Sequence, residues 1–295
     1  MKIFSIKKTQ NKNNLVSVIM NCYNGEKYLS YAINSLIVQS HKNWELIFYD
    51  NCSTDKSAFI LKNYKDKRIK YYKSNKLLNL GLARKKALIK AKGQFISFLD
   101  TDDIWKKNKL NRQLKVFLNK NVGFAISNSI FFDKSRSKNF YPQNINFKKK
   151  VFYNLIENYF ISFDTVIIRS SYLKKLNHMF DEKFDIIHDM DLLIRLSNIC
   201  EMKYVPLALS KWRMREESFS YNNFNTIIKE KKILIKKLSK LKKNDSNFKL
   251  SKKKYMDILH RQEILFLLSK RNFLKVLKLL KKLKFNIKNT FLVIL

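Results

Sequence analysis

The sequence has few cysteines, few acidic residues for its many bases, and no long apolar run. Its three cysteines, Cys22, Cys52 and Cys200, are widely spaced and lie outside CxxC pairs. This pattern argues against a disulfide framework or a zinc site and fits a reducing cytosol. No run approaches the roughly 18 apolar residues that span a bilayer, and the N-terminal MKIFSIKKTQNKNN lacks the apolar core of a signal peptide. We therefore expect a cytoplasmic protein that touches a membrane at most with its surface.

The formal net charge of +38 comes from 61 Lys and Arg residues against 23 Asp and Glu residues. A charge of this size suggests a polyanion or an anionic membrane as a partner. The excess is nearly all Lys, however, and it accompanies abundant Asn, Ile, Phe and Tyr with only four Gly and two Pro. Because the codons of the abundant residues are rich in A and T, we attribute much of the charge to genome composition and less to nucleic-acid binding.

The 295 residues, of which 45% are hydrophobic, allow one α/β domain of about 200 residues and an appendage. Short apolar runs predict strands, and apolar residues at helical spacing predict the helices between them. This alternation favours an α/β fold with a mostly parallel sheet covered on both faces. The predicted strands are 16–20, 44–49, 69–72, 95–99, 123–132, 162–168 and 204–209. The predicted helices are 28–37, 56–64 and 82–91, and a further helix lies within 184–196 with Asp189 and Asp191 at its start.

Polar side chains follow three of the predicted strands. Tyr23 and Asn24 come after the first strand, Asp50 after the second, and Asp100 and Asp102 after the fourth. In open α/β sheets, ligands bind at the edge formed by the carboxyl ends of the strands. We therefore expect these side chains to share one pocket, in which Asp50 suits a base or a sugar hydroxyl as a hydrogen-bond acceptor.

Three carboxylates, Asp100, Asp102 and Asp103, lie together in the segment GQFISFLDTDDIW. Like charges this close repel one another, so a cation is expected to relieve the repulsion. A bent loop can aim Asp100 and Asp102 at one Mg²⁺ or Mn²⁺ ion, with phosphate oxygens and water completing its shell. The alternative is an Asp-rich turn that caps a helix beginning near Trp105.

Two predicted helices carry further candidates. Arg84 suits a phosphate or a base, because its planar guanidinium cannot lose its charge. Asp189 and Asp191 begin the other helix, where side chains two residues apart point about 200° apart and N-capping is an alternative role. Asp191 has Arg195 at i+4, which favours an ion pair on the helix surface, whereas Asp189 has leucines at i+3 and i+4 and is expected to be unpaired. His188 is either a metal ligand or a structural residue.

Residues 222–295 differ in character from the rest of the chain. They hold 21 Lys and Arg residues against 4 acids, with apolar residues at helical spacing and an apolar end at 291–295. We predict a helical appendage here, after a disordered basic N-terminus at 1–14 and a main domain at 15–221. Helices packed on the main domain and helices bound to an anionic membrane surface both fit this pattern.

The order of these motifs resembles the family 2 glycosyltransferases, which have the GT-A fold and use nucleotide-activated sugars. Between about residues 16 and 220, VSVIMNCYNGEKYL is similar to the family's first strand and its Tyr-Asn-Gly turn, and DNCSTD to its Asp-Asp-Gly-Ser-Thr-Asp. NLGLAR resembles a shortened Asn-x-Gly-x-x-x-Ala-Arg, and GQFISFLDTDD resembles the family's strand and Asp-x-Asp. HDMDLLIRL is similar to its Glu-Asp-x-Asp-Leu-x-x-Arg-Leu helix. Each motif alone is weak, but five in the right order carry the resemblance.

The resemblance implies an inverting glycosyltransferase that moves a sugar from a nucleotide-diphosphate donor, expected to be a UDP-sugar, to a hydroxyl of a glycan or lipid-linked acceptor. Cell-surface polysaccharide synthesis is the expected setting, and the cofactor is expected to be Mn²⁺ or Mg²⁺. The implied roles are nucleotide binding for Tyr23, Asn24, Asp50, Arg84 and Asp100, metal binding for Asp102 with Asp100 in support, and general-base catalysis for Asp189.

The sequence departs from the family pattern at several positions: Asn21 replaces a Pro, Asn51 an Asp, Lys85 an Asn, and His188 the Glu before the base. Arg215 stands where the family often has a His near the diphosphate. Because Arg binds phosphate but does not ligate metals, we regard Arg213 and Arg215 as candidate diphosphate ligands, and metal dependence through that segment is in doubt.

Two other classes of protein compete with this interpretation. A nucleic-acid-binding protein is suggested by charge alone and has no need of carboxylates at strand ends. A catalytically inactive family member that serves as a scaffold would be expected to have lost Asp102 or Asp189. Both residues are present.

Overall fold

A computed structural model describes residues 14–142, 145, 147–215 and 223–282 of the chain. Nearly all of the predicted disordered segment 1–14, and the apolar end at 291–295, lie outside the described residues. The chain forms two compact units. The first runs to Phe152 and resumes at Phe160, and the second combines Tyr153–Tyr159 with the helices from Phe224 onward.

The first unit is built around one sheet of nine strands. In the described chain these are β1 (Val16–Cys22), β2 (Trp44–Asp50), β3 (Ile69–Lys73), β4 (Phe95–Phe98), β5 (Ile104–Trp105), β6 (Val122–Phe132), β7 (Ser137–Asn139), β8 (Ile167–Arg169) and β9 (Glu201–Arg213). The order across the sheet is β3-β2-β1-β4-β8-β6-β9-β5, with β7 beside β6.

The strands β3, β2, β1 and β4 are parallel neighbours. β8 runs antiparallel to both β4 and β6, whereas β9 runs parallel to β6 and antiparallel to β5. β1 and β2 are buried along almost their whole length, as expected for strands covered on both faces. Because β1 to β4 point the same way, the loops that follow them lie at one edge of the sheet.

Helices lie between these strands in the sequence. They are α1 (Glu26–Ile37), α2 (Ser57–Lys62), α3 (Leu80–Leu88), α4 (Lys109–Leu114), α5 (Phe152–Glu157), α6 (Ser170–Leu173) and α7 (His188–Ser197). α1 is typical: Leu29, Ala32, Ile33 and Leu36, three or four residues apart, are buried on the face turned to the core. The predicted α/β class is confirmed.

Two local predictions are wrong. Residues 162–168 are not one strand: Phe163–Thr165 forms a 3-10 turn, because the N–H groups there bond to carbonyls three residues back, and β8 follows it. No helix begins near Trp105, because that residue pairs with β9 and donates its backbone N–H to Ser35 Oγ at 3.1 Å. The helix α4 starts at Lys109.

In the second unit, residues 223–282 form α8 (Phe224–Leu241), α9 (Ser246–Ser269) and α10 (Phe273–Lys282). Asp245 caps α9 by accepting the Phe248 N–H at 2.9 Å, and it also accepts the Tyr153 hydroxyl at 2.9 Å. Glu157 accepts hydrogen bonds from Ser251 and from Lys254. No helix within the described residues is both long and apolar enough to cross a membrane.

Candidate active site

The loops after β1 and β2 are joined by hydrogen bonds. Asn24, in the left-handed region at φ 51°, donates its N–H to Ser53 Oγ at 3.1 Å. Glu26 N–H donates to Asp55 Oδ2 at 2.9 Å, and Glu26 Oε2 accepts the Lys56 N–H at 2.8 Å. Each carboxylate therefore satisfies a backbone N–H at the start of the other's helix, which fixes the two loops against each other.

Asp50 lies at the predicted edge and is fully buried. Its Oδ1 accepts the Ser53 N–H at 2.8 Å, and its Oδ2 accepts the Tyr71 hydroxyl at 2.9 Å. Burial and the bond to Asp50 raise the pKa of Tyr71 to about 12, so the phenol remains a donor. Tyr71 is absent from the predicted site; its place on the strand beside β2 is the signal that could have found it. Tyr23, in the loop after β1, is exposed.

The loop after β1 also touches the loop after β4. A Cβ placed on Gly25 would lie 3.1 Å from the Thr101 side chain, which is tighter than ordinary packing. Thr101 is the middle residue of the carboxylate turn, which we define as residues 100–103. The structure therefore brings the loops after β1, β2 and β4 together, as the sequence predicts.

Arg84 is buried on α3 and pairs with the carboxylate turn. Its Nη2 donates to Asp100 Oδ1 at 2.7 Å, its Nη1 contacts His188 Nε2, and its guanidinium lies 4.9 Å from the centre of the Phe163 ring. α3 approaches the segment before α7 closely, because a Cβ on Gly81 would lie 2.7 Å from the carbonyl oxygen of Phe184. Arg84 thus links the turn to the start of α7.

His188 is buried and has both ring nitrogens engaged. Nδ1 lies 3.1 Å from the carbonyl oxygen of Asp185, and Nε2 contacts Arg84. Burial and the Arg84 cation hold the pKa of His188 well below its usual range, so the imidazole is neutral. It therefore donates from Nδ1 and accepts at Nε2. Because both ring nitrogens have partners within the protein, the structure favours the structural alternative for His188 over a metal ligand.

Asp102 pairs with the chain beyond β9. Arg215 Nη2 lies 2.7 Å from Asp102 Oδ2. Burial and the neighbouring Asp100 raise the pKa of Asp102, while Arg215 opposes that rise. Arg213 is closer to the backbone: its Nε donates to the Asp102 carbonyl oxygen at 3.1 Å.

Asp103 is the buried residue of the turn. Its Oδ1 accepts the Arg213 N–H at 3.2 Å, and its buried Oδ2 has no hydrogen-bond partner within the described part of the chain. Burial and the nearby Asp164 raise the pKa of Asp103 well above its usual range. Ser129 Oγ donates to Asp164 at 2.8 Å, and Ser162 also bonds to it. A second buried acid, Asp164, to which the sequence pattern gives no role, therefore lies near the turn on its core side.

Asp189 and Asp191 both lie in the first turn of α7, as predicted. The predicted pair of Asp191 with Arg195 is confirmed at 2.7 Å. Its expected place on the helix surface is wrong, because Asp191 is fully buried and Arg195 also donates to the carbonyls of His178 and Met179. Asp189 is half-buried and takes part in an interaction within the protein, so the expectation of an unpaired carboxylate is also wrong.

Comparison with known proteins shows the family of this chain. The family described as Glycosyl transferase family 2 matches residues 17–177, more than half of the chain. WfgD of Escherichia coli, named UDP-Glc:alpha-D-GlcNAc-diphosphoundecaprenol beta-1,3-glucosyltransferase, is 32% identical over 222 residues, which cover 75% of this chain and 85% of WfgD. The chain belongs to glycosyltransferase family 2. It is an enzyme of the inverting class, as the sequence motifs imply.

Two solved structures show the fold of this glycosyltransferase. TarS 1–349 of S. aureus in complex with UDP-GlcNAc has a TM-score of 0.62 and 21% identity, covering 83% of this chain and 72% of that chain. The mannosyltransferase PcManGT from Pyrobaculum calidifontis, in complex with GDP-Man and Mn²⁺, has a TM-score of 0.60 and 16% identity, covering 83% and 69%. The predicted GT-A fold is confirmed.

Proposed function

We propose that this glycosyltransferase transfers a sugar from a UDP-sugar to a hydroxyl of a lipid-linked or glycan acceptor in cell-surface polysaccharide synthesis. The observation that carries the proposal is the carboxylate turn at the carboxyl edge of the sheet, beside the loop that bears Tyr23 and near the end of β2, where Asp50 lies. The names of similar proteins support the substrates: WfgD uses UDP-Glc and a diphosphoundecaprenol-linked sugar, and TarS binds UDP-GlcNAc.

Asp102, with Asp100 in support, is the proposed site for Mg²⁺ or Mn²⁺. The donor set fits a hard cation, because Asp100 and Asp102 belong to one turn and offer carboxylate oxygens, the ligands that Mg²⁺ and Mn²⁺ prefer. Within the described ranges no group of three or more His, Cys, Asp and Glu residues could hold a metal, so donor phosphates and water would complete the shell. A bound ion would act as a Lewis acid on the leaving diphosphate.

The chain's own residues have separate proposed tasks. Asp189 takes the proton from the acceptor hydroxyl as that oxygen attacks the anomeric carbon, and attack with one base inverts that carbon. Arg215, which can release Asp102, meets the negative charge that grows on the diphosphate. Tyr23, Asn24 and the edge formed by Asp50 face the nucleotide.

A donor and acceptor screen tests this proposal. Purified protein is given UDP-sugars and GDP-sugars in turn, and nucleotide diphosphate release is measured with a lipid-diphosphate-linked sugar, with the free sugar, and with no acceptor. We expect release from a UDP-sugar that rises several-fold with the lipid-linked acceptor. A preference for GDP-sugars, or release that no acceptor stimulates, would contradict the proposed substrates while leaving the family assignment intact.

We also propose that the second unit rests on an anionic membrane surface, where a lipid-linked acceptor is held. One face of α10 is apolar and exposed although it is flanked by lysines, and Val276 alone on its described part is buried. Such a face with basic neighbours suits the headgroup region of an anionic bilayer. The exposed apolar residues are Phe273, Leu274 and Leu277, and the exposed lysines are Lys275, Lys278 and Lys281.

Co-sedimentation with vesicles tests the membrane proposal. We expect the full-length protein to bind vesicles that contain phosphatidylglycerol and to bind less as salt rises, since each Lys near such a surface contributes about 1 kcal/mol. Leu274→Glu should weaken this binding, whereas Leu118→Glu, at an exposed position of the first unit, should not. Equal vesicle binding by the two variants would show that α10 does not bind the membrane, which leaves packing within the protein as its role.

A further inference from the structure

The register between β5 and β9 places Arg213 opposite the carboxylate turn. These strands are antiparallel, and Ile104 pairs with Lys211. In an antiparallel pair, each step back along one strand matches a step forward along the other. Two such steps from the Ile104–Lys211 pair place Asp102 opposite Arg213. Backbone pairing therefore sets which side chain of β9 reaches the turn.

Arg213 holds the turn by two hydrogen bonds. Its backbone N–H donates to Asp103 Oδ1 at 3.2 Å, and its side-chain Nε donates to the Asp102 carbonyl oxygen at 3.1 Å. The second bond comes from a charged donor, which makes it stronger than a bond between neutral groups. It acts on the backbone of Asp102 and so restrains the residue, while the Arg213 charge also lowers the pKa of the Asp102 carboxyl against the effect of burial.

The guanidinium of Arg213 is itself held by two aromatic rings. Its Cζ lies 4.1 Å from the centre of the Tyr28 ring and 4.5 Å from the centre of the Phe132 ring. Tyr28 belongs to α1 and Phe132 to β6, so the contacts come from two elements distant in sequence. Cation–π contacts of this kind fix the plane of the guanidinium and hence the direction of Nε–H.

We propose that Arg213 is a positioning residue that orients the Asp102 carboxylate by holding the backbone of the turn. The inference rests on the proposed role of Asp102 toward the metal and the donor diphosphate. It replaces the expectation that Arg213 itself binds the diphosphate. Arg213→Lys is the decisive variant, because Lys keeps the charge and loses both the Nε–H and the planar stacking surface.

The first measurement is the affinity for UDP by calorimetry, with Mn²⁺ and with a chelator. We expect Arg213→Lys to lose about tenfold in UDP affinity with Mn²⁺, the scale on which groups that orient metal ligands act. With a chelator its affinity should equal that of the unsubstituted protein. Arg136→Lys, at an exposed arginine paired with Asp133, is the matched control and should bind UDP normally in both conditions.

The outcomes separate the inference from the proposal on which it rests. If Mn²⁺ does not improve UDP binding by the unsubstituted protein, the metal proposal fails. An equal loss for Arg213→Lys with Mn²⁺ and with chelator would overturn the positioning role in favour of direct diphosphate contact. An unchanged affinity in both would overturn it as well.

A second measurement needs no metal. Amide hydrogen exchange of the metal-free protein should be about tenfold faster in Arg213→Lys for the peptide that covers the turn, where Asp103 N–H bonds to the Asp100 carbonyl and Trp105 N–H to Ser35 Oγ. Peptides of β1 and β2 should exchange at the normal rate, which excludes general destabilisation. Normal exchange at the turn would contradict the proposal whatever the metal result.

Discussion

The two carboxylates of the Asp-x-Asp pair each contact an arginine at 2.7 Å, but the two ion pairs are built in opposite ways. In the first, the Arg84 side chain is 5% exposed and that of Asp100 is 42% exposed. In the second, Arg215 is 38% exposed and Asp102 is 16% exposed. The cation is therefore the fixed partner in the first pair, whereas the carboxylate is the more enclosed partner in the second.

This contrast indicates which arginine can leave its carboxylate. Arg84 is surrounded by Asp100, His188 and the Phe163 ring, and moving it would leave a buried charge unpaired. Arg215 is exposed and lies beyond the end of β9. A pair whose cation is solvated contributes little, about 0 to 1 kcal/mol, so a metal ion can compete for Asp102 and a diphosphate for Arg215. We infer a permanent pair at Asp100 and an exchangeable one at Asp102.

The largest expected effect concerns the helix to which Arg84 connects the turn. If Asp189 is the general base, Asp189→Asn should lower turnover by about 10² to 10⁴ with UDP affinity nearly unchanged. Asp191→Asn should instead lower the free energy of unfolding by about 3 to 5 kcal/mol, because it leaves Arg195 buried without its partner charge. Initial rates and thermal melts measure the two effects. If Asp191→Asn is well folded but loses turnover, and Asp189→Asn has nearly normal turnover, then Asp191 and not Asp189 is the general base.

The next effect tests the two arginines for stability. Arg84→Met should lower the free energy of unfolding by about 2 kcal/mol; the figure is below that of a fully buried pair because Asp100 is partly solvated. Arg215→Met should change it by less than about 1 kcal/mol. Urea unfolding of both variants measures the difference. Equal changes would remove the distinction between a permanent and an exchangeable pair.

The carboxylates themselves give a smaller, directly comparable effect. Mn²⁺ is expected to strengthen UDP binding, and Asp102→Asn should make this strengthening about tenfold smaller. Asp100→Asn should reduce it less, because Asp100 serves mainly to neutralise Arg84. Calorimetry with Mn²⁺ and with a chelator measures both. If Asp100→Asn loses more of the Mn²⁺-dependent UDP affinity than Asp102→Asn does, then Asp100 is the main metal ligand and Asp102 the supporting residue.

Much of this arrangement could be predicted from sequence, and what could not be predicted has physical reasons. Apolar runs locate the strands, and parallel strands place Asp50 and Asp100 at one edge whatever their later partners. The arginine partners depend on tertiary contacts between residues as distant as Asp102 and Arg215, which no local pattern encodes. Spacing predicts the Asp191 pair with Arg195, yet spacing carries no information on burial, so it does not show that the pair lies in the core and not on the helix surface. The two residues of β5 are too few to show a period.

The smallest expected effect tests the difference between the Asp100 and Asp102 ion pairs most sharply, because it is a gain in metal affinity and not a loss. In the absence of nucleotide, Arg215 and a metal ion compete for Asp102, so Arg215→Met should bind Mn²⁺ more tightly than the unsubstituted protein. The gain should be at most about fivefold, the equivalent of the roughly 0.2 to 1 kcal/mol of an ion pair with a solvated cation. With Mn²⁺ present, the same variant should bind UDP more weakly, since the proposed diphosphate ligand is gone.

Titration of Mn²⁺ binding by electron paramagnetic resonance measures the first effect, and calorimetry with UDP measures the second. Arg136→Met serves as the control, because it removes an exposed arginine that is paired with Asp133 and not with the turn. Both affinities of the control should be normal. Tighter Mn²⁺ binding together with weaker UDP binding would mean that Arg215 pairs with Asp102 before the donor binds and contacts the diphosphate afterwards. If Mn²⁺ affinity is the same with and without Arg215, the pair does not compete with the metal, and the Asp102 pair is as permanent as that of Asp100.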